Sequence, residues 1–267
     1  TLNIFNVANA IIDYMILDNP SIRSVNPIVG ETNDSGLNDI QGRHVKKIHV
    51  LKAIQNTKSG PVDEGSVGAG TGTRALGFKG GIGTSSRLLP KEIGGFTVGV
   101  LVQTNFGGSL MINGAPVGRE LKKSPFSSNI PYDGEEGSCM IVIATDAPLA
   151  NRNLKRMAER VSHAFGRVGA YSSNGSGDYA IIFSTYRPEY QDDKMIFSKE
   201  LKNSLMNGLF MATVEATEEA IINSLFMAES ISSKYGKSQA LPIDETMKIL
   251  KKYKALNWNN KLYPWEK

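Results

Sequence analysis

The sequence predicts a mixed α/β fold, in which helices cover a sheet built largely from central strands. Three observations carry this expectation. Amphipathic stretches with helical spacing recur at the start, middle and end of the chain. Two short apolar runs, residues 139–145 and 179–185, have the length and composition of buried strands. Turn signals built from glycine, proline and asparagine separate these segments.

Residues 3–17 place apolar side chains at helical spacing and stop before Pro20. Residues 44–56, "HVKKIHVLKAIQN", repeat the pattern and end before the Gly60-Pro61 breaker. "GGFTVGVLVQTNFGG", residues 94–108, reads as a strand, and the Asn113-Gly114 pair that follows suits a type I′ turn, since both residues tolerate positive φ. Residues 121–137, rich in Ser, Pro, Asp and Gly, read as an exposed linker. "CMIVIAT" and "YAIIFST" are the two expected central strands. Between them, residues 153–168 align Leu154, Met157, Val161 and Phe165 on one stripe with Arg and Lys opposite, which predicts one helix. A long helix is expected within residues 197–231, with its acids at 215, 218 and 219 in structural roles. A last helix should begin near Asp244, an N-cap candidate after Pro242. The 267 residues fit a single large domain without internal repeats.

Composition narrows the function. Forty per cent hydrophobic and 21% charged residues are ordinary for a globular chain and exclude extended disorder. No apolar run is long enough to span a bilayer as a helix, so no membrane partner is expected. The formal charge of +4 comes from scattered basic residues without interleaved aromatics, which argues against a nucleic-acid partner. Cys139 is the sole cysteine, so neither an intrachain disulfide nor a thiolate metal cluster is available, and its apolar setting marks it as a core residue. His44 and His49 are five apart, a poor spacing for a shared metal, and His163 has no carboxylate at a ligand spacing. The opening "TLNIFNVANAIIDYMI" lacks an initiating Met and a basic n-region, so it is not read as a signal peptide and the chain is expected to begin within a longer protein. The compartment stays open between the cytoplasm and a periplasmic or secreted location.

The glycine-rich tract "GSVGAGTGTRALGFKGGIGTSSR", residues 65–87, invites a nucleotide-binding reading. It lacks the Gly-Lys-Ser/Thr ending of a phosphate loop, and its partial dinucleotide fingerprint has no preceding apolar strand, so close backbone packing is the better reading. The Gly137-Ser138 dipeptide lies where the linker turns into a strand. Gly-Ser at a loop-strand seam is compatible with a strand cap or with self-cleavage. In the second case the Ser138 hydroxyl attacks the Gly137 carbonyl, and ester hydrolysis leaves Ser138 as a new N-terminus whose amine has a reference pKa of about 7.7 to 8.0.

The company this dipeptide keeps decides between them. "GETNDSGLNDIQGRHV" (30–45), "GAGTGTRALGFKGGIGTSSR" (68–87), "VLVQTNFG" (100–107), "GSCMIVIATDAPL" (137–149), "LKRMAERVSHAFGRVG" (154–169), "NGSGDYAIIFST" (174–185) and "ATVEATEEAIINSL" (212–225) occur in one order. Together they resemble the D-aminopeptidase / β-peptidyl aminopeptidase family of self-processing N-terminal-serine peptidases, related to nylon-oligomer hydrolases, over nearly the whole chain to about residue 235. The resemblance implies a four-layer αββα sandwich like that of N-terminal nucleophile hydrolases. It also implies autocatalytic cleavage between Gly137 and Ser138 into an α-chain portion, residues 1–137, preceded in the family by a further N-terminal segment, and a β-chain, residues 138–267. Ser138 matches the nucleophile, Ser176 and Asp178 the assisting serine and acid, Asn105 the oxyanion-hole asparagine, and Glu31 the carboxylate that receives the substrate's free amine. Asn33 stands where some relatives place a tyrosine.

The function this implies is a serine aminopeptidase or amidase that hydrolyses an amide beside a free N-terminal amine through an acyl-enzyme, with no metal or organic cofactor. Its expected partners are a small peptide or aminoacyl-amide substrate and further copies of itself, as a homo-oligomer of processed αβ units. Whether the released residue is an L-, D- or β-amino acid is left open. Two alternatives stand beside it: an acyltransferase resembling ornithine acetyltransferase, against which a serine in place of the expected threonine argues, and a catalytically silent oligomeric binding relative.

Overall fold

The computed structural model describes residues 2–125, 137–190, 196–197 and 199–256, without the side chains of 189–190 and 196–197. In chain order the elements are α1 (Ile4–Asp18), α2 (Lys47–Gln55), β1 (Arg74–Ala75), β2 (Phe78–Lys79), β3 (Ile82–Leu88), β4 (Thr97–Gln103), α3 (Val117–Glu120) and β5 (Ser138–Thr145). They continue with α4 (Asn151–Ala158), α5 (Val161–Val168), β6 (Gly177–Ser184), β7 (Glu189–Tyr190), β8 (Ile196–Phe197), α6 (Met206–Phe226), β9 (Ile231–Ser232), β10 (Lys237–Ser238) and α7 (Ile243–Lys252).

The main sheet is mixed and four-stranded, in the order β3-β4-β5-β6. β3, β4 and β5 pair antiparallel, while β5 and β6 run parallel, with Ser138 opposite Gly177 and Cys139 opposite Asp178. A parallel pair needs a crossover, and α4 and α5 supply it. Side chains alternate across the sheet with period two. One face carries Val98, Val100 and Val102 beside Cys139, Ile141 and Ile143, all buried. That face lies under α6, which packs on β3 and β4 and against α4 and α5. Fully burying a Val or Ile side chain stabilises by roughly 1.5–3 kcal/mol, so this row is the main adhesive between sheet and helices. The opposite face holds Leu101, Met140 and Val142, each only half-buried, and Tyr179 and Phe183, which are exposed. Sheet and helices thus form adjacent β and α layers.

The expected elements at 3–17, 44–56, 94–108, 139–145 and 179–185 are α1, α2, β4, β5 and β6. The Asn113-Gly114 turn is present: both residues have positive φ, and Ile112 and Ala115 exchange both backbone hydrogen bonds. Three expectations need correction. The helix expected at 153–168 is two helices. Arg160 folds its guanidinium back onto the Arg156 carbonyl, which its own N–H would bond in a continuous helix, while that N–H bonds Met157. The same guanidinium stacks 3.5 Å from the Phe210 ring centroid, and Met157, Val161 and Phe165 still share one buried stripe. The last helix begins at Ile243 after Pro242, so Asp244 lies inside the first turn, where its charge faces the helix N-terminus, and is not the cap. The strand β3 emerges from the glycine-rich tract, where no strand was expected. The expected linker falls largely on residues 126–136, outside the described residues.

Candidate active site

The site lies at one end of the sheet, where β4 ends at Gln103 and β5 and β6 begin at Ser138 and Gly177. Ser138 is half-buried at the first position of β5, and Gly137 before it is buried. The Gly137 carbonyl is the focus of the arrangement. It accepts the Ser138 hydroxyl at 2.7 Å and the Gly177 N–H at 3.0 Å, the latter being the first bond of the parallel ladder. The Ser138 N–H in turn donates to the Asn105 carbonyl at 2.5 Å. Both sides of the Gly137-Ser138 peptide bond are therefore fixed by backbone partners from β6 and from the end of β4. Gly137 also has no room for a side chain: a Cβ there would sit 2.9 Å from Ser176 Oγ and 3.0 Å from Phe106 Cα.

Ser176 reaches this seam from the loop before β6, and its hydroxyl donates to Asp178 Oδ1 at 3.2 Å. Asp178 follows on the strand, opposite Cys139. Burial, and then the Asp178 charge, push the Cys139 thiol well above its ordinary range, so this cysteine is protonated and no rival nucleophile. Ser176 is thus hydrogen-bonded to Asp178, while the Ser138 hydroxyl is directed to the Gly137 carbonyl.

Asn105 is buried, with 7% of its surface exposed, and its amide is oriented from both ends. The Arg74 N–H donates to Oδ1 at 3.1 Å, and Nδ2 donates one hydrogen to the Asn33 carbonyl at 3.0 Å. A primary amide carries two N–H donors, so a second is available to an oxyanion. The loop containing Glu31 crosses the same end of the sheet. Gly30 lies against the Met140 side chain, Gln103 Nε2 donates to Thr32 Oγ1 at 2.8 Å, and Asn33 receives Asn105. Glu31, half-buried, stands between the first two of these anchors. All five expected residues therefore converge on one end of one sheet, although they are up to 147 positions apart (178 minus 31).

Reasoning from residue types missed the backbone donors. Arg74 N–H and Gly177 N–H act here regardless of side chain, and only strand register signals them. The histidines lie elsewhere: His44 faces Asp39 at 3.2 Å, and His49 Nδ1 accepts the Lys46 N–H at the start of α2. The glutamates of α6 are ion-paired, Glu215 and Glu219 with Arg87 and Glu218 with Arg167. Among the described residues, no group of three His, Cys, Asp or Glu side chains gathers as a metal site, and no helix is long and apolar enough to cross a membrane.

Known proteins share this arrangement of sequence and fold. The sequence profile of peptidase family S58 matches residues 1–239. The beta-peptidyl aminopeptidase BapA of Sphingosinicella microcystinivorans is 43% identical over 245 residues, covering 86% of this chain and 62% of that protein. A β-aminopeptidase from Burkholderia sp. superposes with a TM-score of 0.84 at 35% identity, over 96% of this chain and 72% of the other. The L-aminopeptidase D-Ala-esterase/amidase of Ochrobactrum anthropi, a serine aminopeptidase described as a new variant of the Ntn hydrolase fold, superposes with a TM-score of 0.82 at 34% identity, over 95% and 72%. The chain spans about three fifths of the length of the curated relatives it matches.

Proposed function

The chain belongs to peptidase family S58, and from that premise we propose that it is the catalytic region of a self-processing serine aminopeptidase whose nucleophile is Ser138. The observation that carries this reading is the seam itself. The Ser138 hydroxyl lies 2.7 Å from the carbonyl oxygen of the preceding residue, that carbonyl also accepts Gly177 N–H, and the Ser138 nitrogen is held on the Asn105 carbonyl.

In maturation, Ser138 Oγ bonds to the Gly137 carbonyl carbon, the C–N bond breaks and the nitrogen takes the hydroxyl proton, leaving a Gly137 ester on Oγ. Water hydrolyses the ester to a Gly137 carboxylate and restores the hydroxyl. The chain is then an α portion ending at Gly137 and a β portion starting at Ser138. The new amine is part of the nucleophile's own residue and titrates near neutrality, about 7.7–8.0 for an ordinary α-amine. In turnover it accepts the hydroxyl proton as Oγ attacks the substrate carbonyl, and the second Asn105 N–H meets the developing oxyanion. Collapse hands the proton to the leaving amine, and water releases the acyl group. Asp178 orients Ser176 beside the seam. Glu31 receives the ammonium of the substrate through a charge-assisted hydrogen bond, which restricts cleavage to the terminal residue. The mature enzyme is a homo-oligomer of such αβ units.

Paired substrates test the activity. An aminoacyl p-nitroanilide should be hydrolysed and its N-acetyl analogue should not, and equal rates on the two would contradict an aminopeptidase. Running L-, D- and β-residues in the same panel identifies the residue released.

A further inference from the structure

We propose that Lys79 is a positioning residue for Asn105, holding the backbone frame that orients the oxyanion-donating amide. The inference rests on the assignment of Asn105 given above. Lys79 is fully buried at the end of β2, with no exposed surface. Its ammonium donates to two backbone carbonyls, Gly70 at 2.7 Å and Gly80 at 2.6 Å. Among the described residues it has no carboxylate partner, and the charge that bears on it is the like charge of Arg74. Burial, and then Arg74, bring its pKa down to about 8, which leaves it protonated at neutral pH. Burying an unpaired ammonium is costly, so its retention here calls for a function.

The surroundings explain which function. Residues 65–82 fold so that backbone lies directly on backbone: a Cβ on Gly70 would come 2.6 Å from Ile82 N, and one on Gly81 would come 2.3 Å from Gly65 O. Carbonyls converge in such packing and need donors from within. Lys79 supplies them, and Thr73 Oγ1 adds a second donor onto Gly70 O at 3.1 Å. This fixed frame then grips residues 104–106 from two sides. On one side Thr104 N–H bonds Gly81 O, and Gly81 N–H bonds Thr104 Oγ1. On the other, β1 gives Arg74 N–H to Asn105 Oδ1, and Leu76, just after β1, gives its N–H to Phe106 O. Lys79 lies between the two grips, since β2 pairs with β1 at Arg74 and Gly80 bonds back to Thr73. A shift of that frame moves the Asn105 side-chain amide through Arg74 N–H and disturbs the Asn105 carbonyl that holds Ser138 N–H, while the Gly137 carbonyl keeps its Gly177 donor from β6.

The test uses Lys79→Met in the full chain, a substitution that keeps length and removes charge and donors. The variant should still cut itself at Gly137, more slowly than wild type, because the Gly177 anchor on β6 is untouched while the Asn105 anchor is loosened. Its kcat should fall tenfold or more with KM changed less than about threefold, because the oxyanion contact strengthens only in the transition state. Inhibition by an aminoalkyl aldehyde, which forms a tetrahedral adduct on serine, should weaken in step with kcat, while inhibition by the product amino acid stays unchanged. An uncut folded chain, an unchanged kcat, or equal losses of adduct and product binding would each overturn the proposal. Asn105→Ala, run alongside, separates the premises: unchanged kcat there removes Asn105 itself, whereas a loss there with normal Lys79→Met turnover removes Lys79 alone. If Lys79→Met does not fold, Thr73→Val takes its place by removing the other donor on Gly70 O. It should give a smaller kcat loss of the same kind, and normal kcat would overturn the proposal.

Discussion

Helix α6 displays three glutamates within one turn and a half, and the end of the sheet displays one plain Gly-Ser dipeptide. By residue type the helix looks like the acid-base centre. Contacts reverse the impression. Each helix glutamate ends on a cation, Glu215 and Glu219 on Arg87 and Glu218 on Arg167, and Ser85 shares Glu219. Burial raises the Glu218 pKa and Arg167 lowers it again in part. Ser138, in contrast, ends on the carbonyl of its own preceding peptide. A reactive group is marked by what it is aimed at. A carboxylate whose lone pairs are committed to guanidinium groups fastens the helix to a strand through Arg87 and to a second helix through Arg167, whereas the Ser138 hydroxyl, held on a peptide carbonyl, is the group we propose for acyl transfer.

This contrast can be broken from the seam outward. Gly137→Ala forces a Cβ into a space bounded by Ser176 Oγ and the Phe106 backbone, so self-cleavage should slow, by up to the roughly hundredfold that a misplacement of about 1 Å costs. Time-resolved mass spectrometry of the freshly made chain measures it, and cleavage at the normal rate would mean that the packing around Gly137 is not part of the chemistry. Asn105→Ala should lower kcat by about 10²–10³, the loss typical of one oxyanion donor, as read from steady-state kinetics on processed protein. Glu31→Gln should weaken kcat/KM for free-amine substrates by an amount equivalent to roughly 1.5–3 kcal/mol while self-cleavage proceeds, since Gly137 presents no amine. Equal activity of both proteins on a free-amine substrate would remove Glu31 from the site.

How much of this was legible from residues alone varies with the kind of group involved. β5 and β6 announce themselves as apolar runs, and α1 and α2 by their spacing. β3 does not, because its inward positions Gly83, Ser85 and Arg87 meet α6 through a backbone approach, a hydrogen bond and ion pairs and not through apolar bulk. The turn between α4 and α5 was equally silent, as it depends on one guanidinium replacing one N–H. At the site, Gly137-Ser138 alone favours a strand cap over self-cleavage, and Ser138 becomes the nucleophile candidate only through family resemblance. Asn105, Ser176, Asp178 and Glu31 entered through family resemblance, since no spacing links residues brought together only by the sheet. Arg74 and Gly177 contribute N–H groups, which leave no trace in a side-chain alphabet.

The smallest effect belongs to the helix. Glu218→Gln should process normally, keep kcat within about threefold and change stability by no more than about 1 kcal/mol, since its partner Arg167 is half exposed. Its folded-state pKa is raised, so the wild type loses stability as pH rises from the unfolded glutamate value through the folded one, and that segment of the pH-stability curve should flatten in the variant. A Glu218→Gln protein that folds and processes but does not turn over would reverse the contrast between the two regions.

One oxygen, Ser138 Oγ, is proposed to perform both maturation and catalysis. Intact-mass analysis of wild type and Ser138→Ala, each followed by an aminoacyl p-nitroanilide assay, tests it most directly. Wild type should give two chains that meet between Gly137 and Ser138 and are active together, and the variant a single uncut, inactive chain. A Ser138→Ala protein cleaved at that same bond, or hydrolysing the substrate at the wild-type rate, would contradict it.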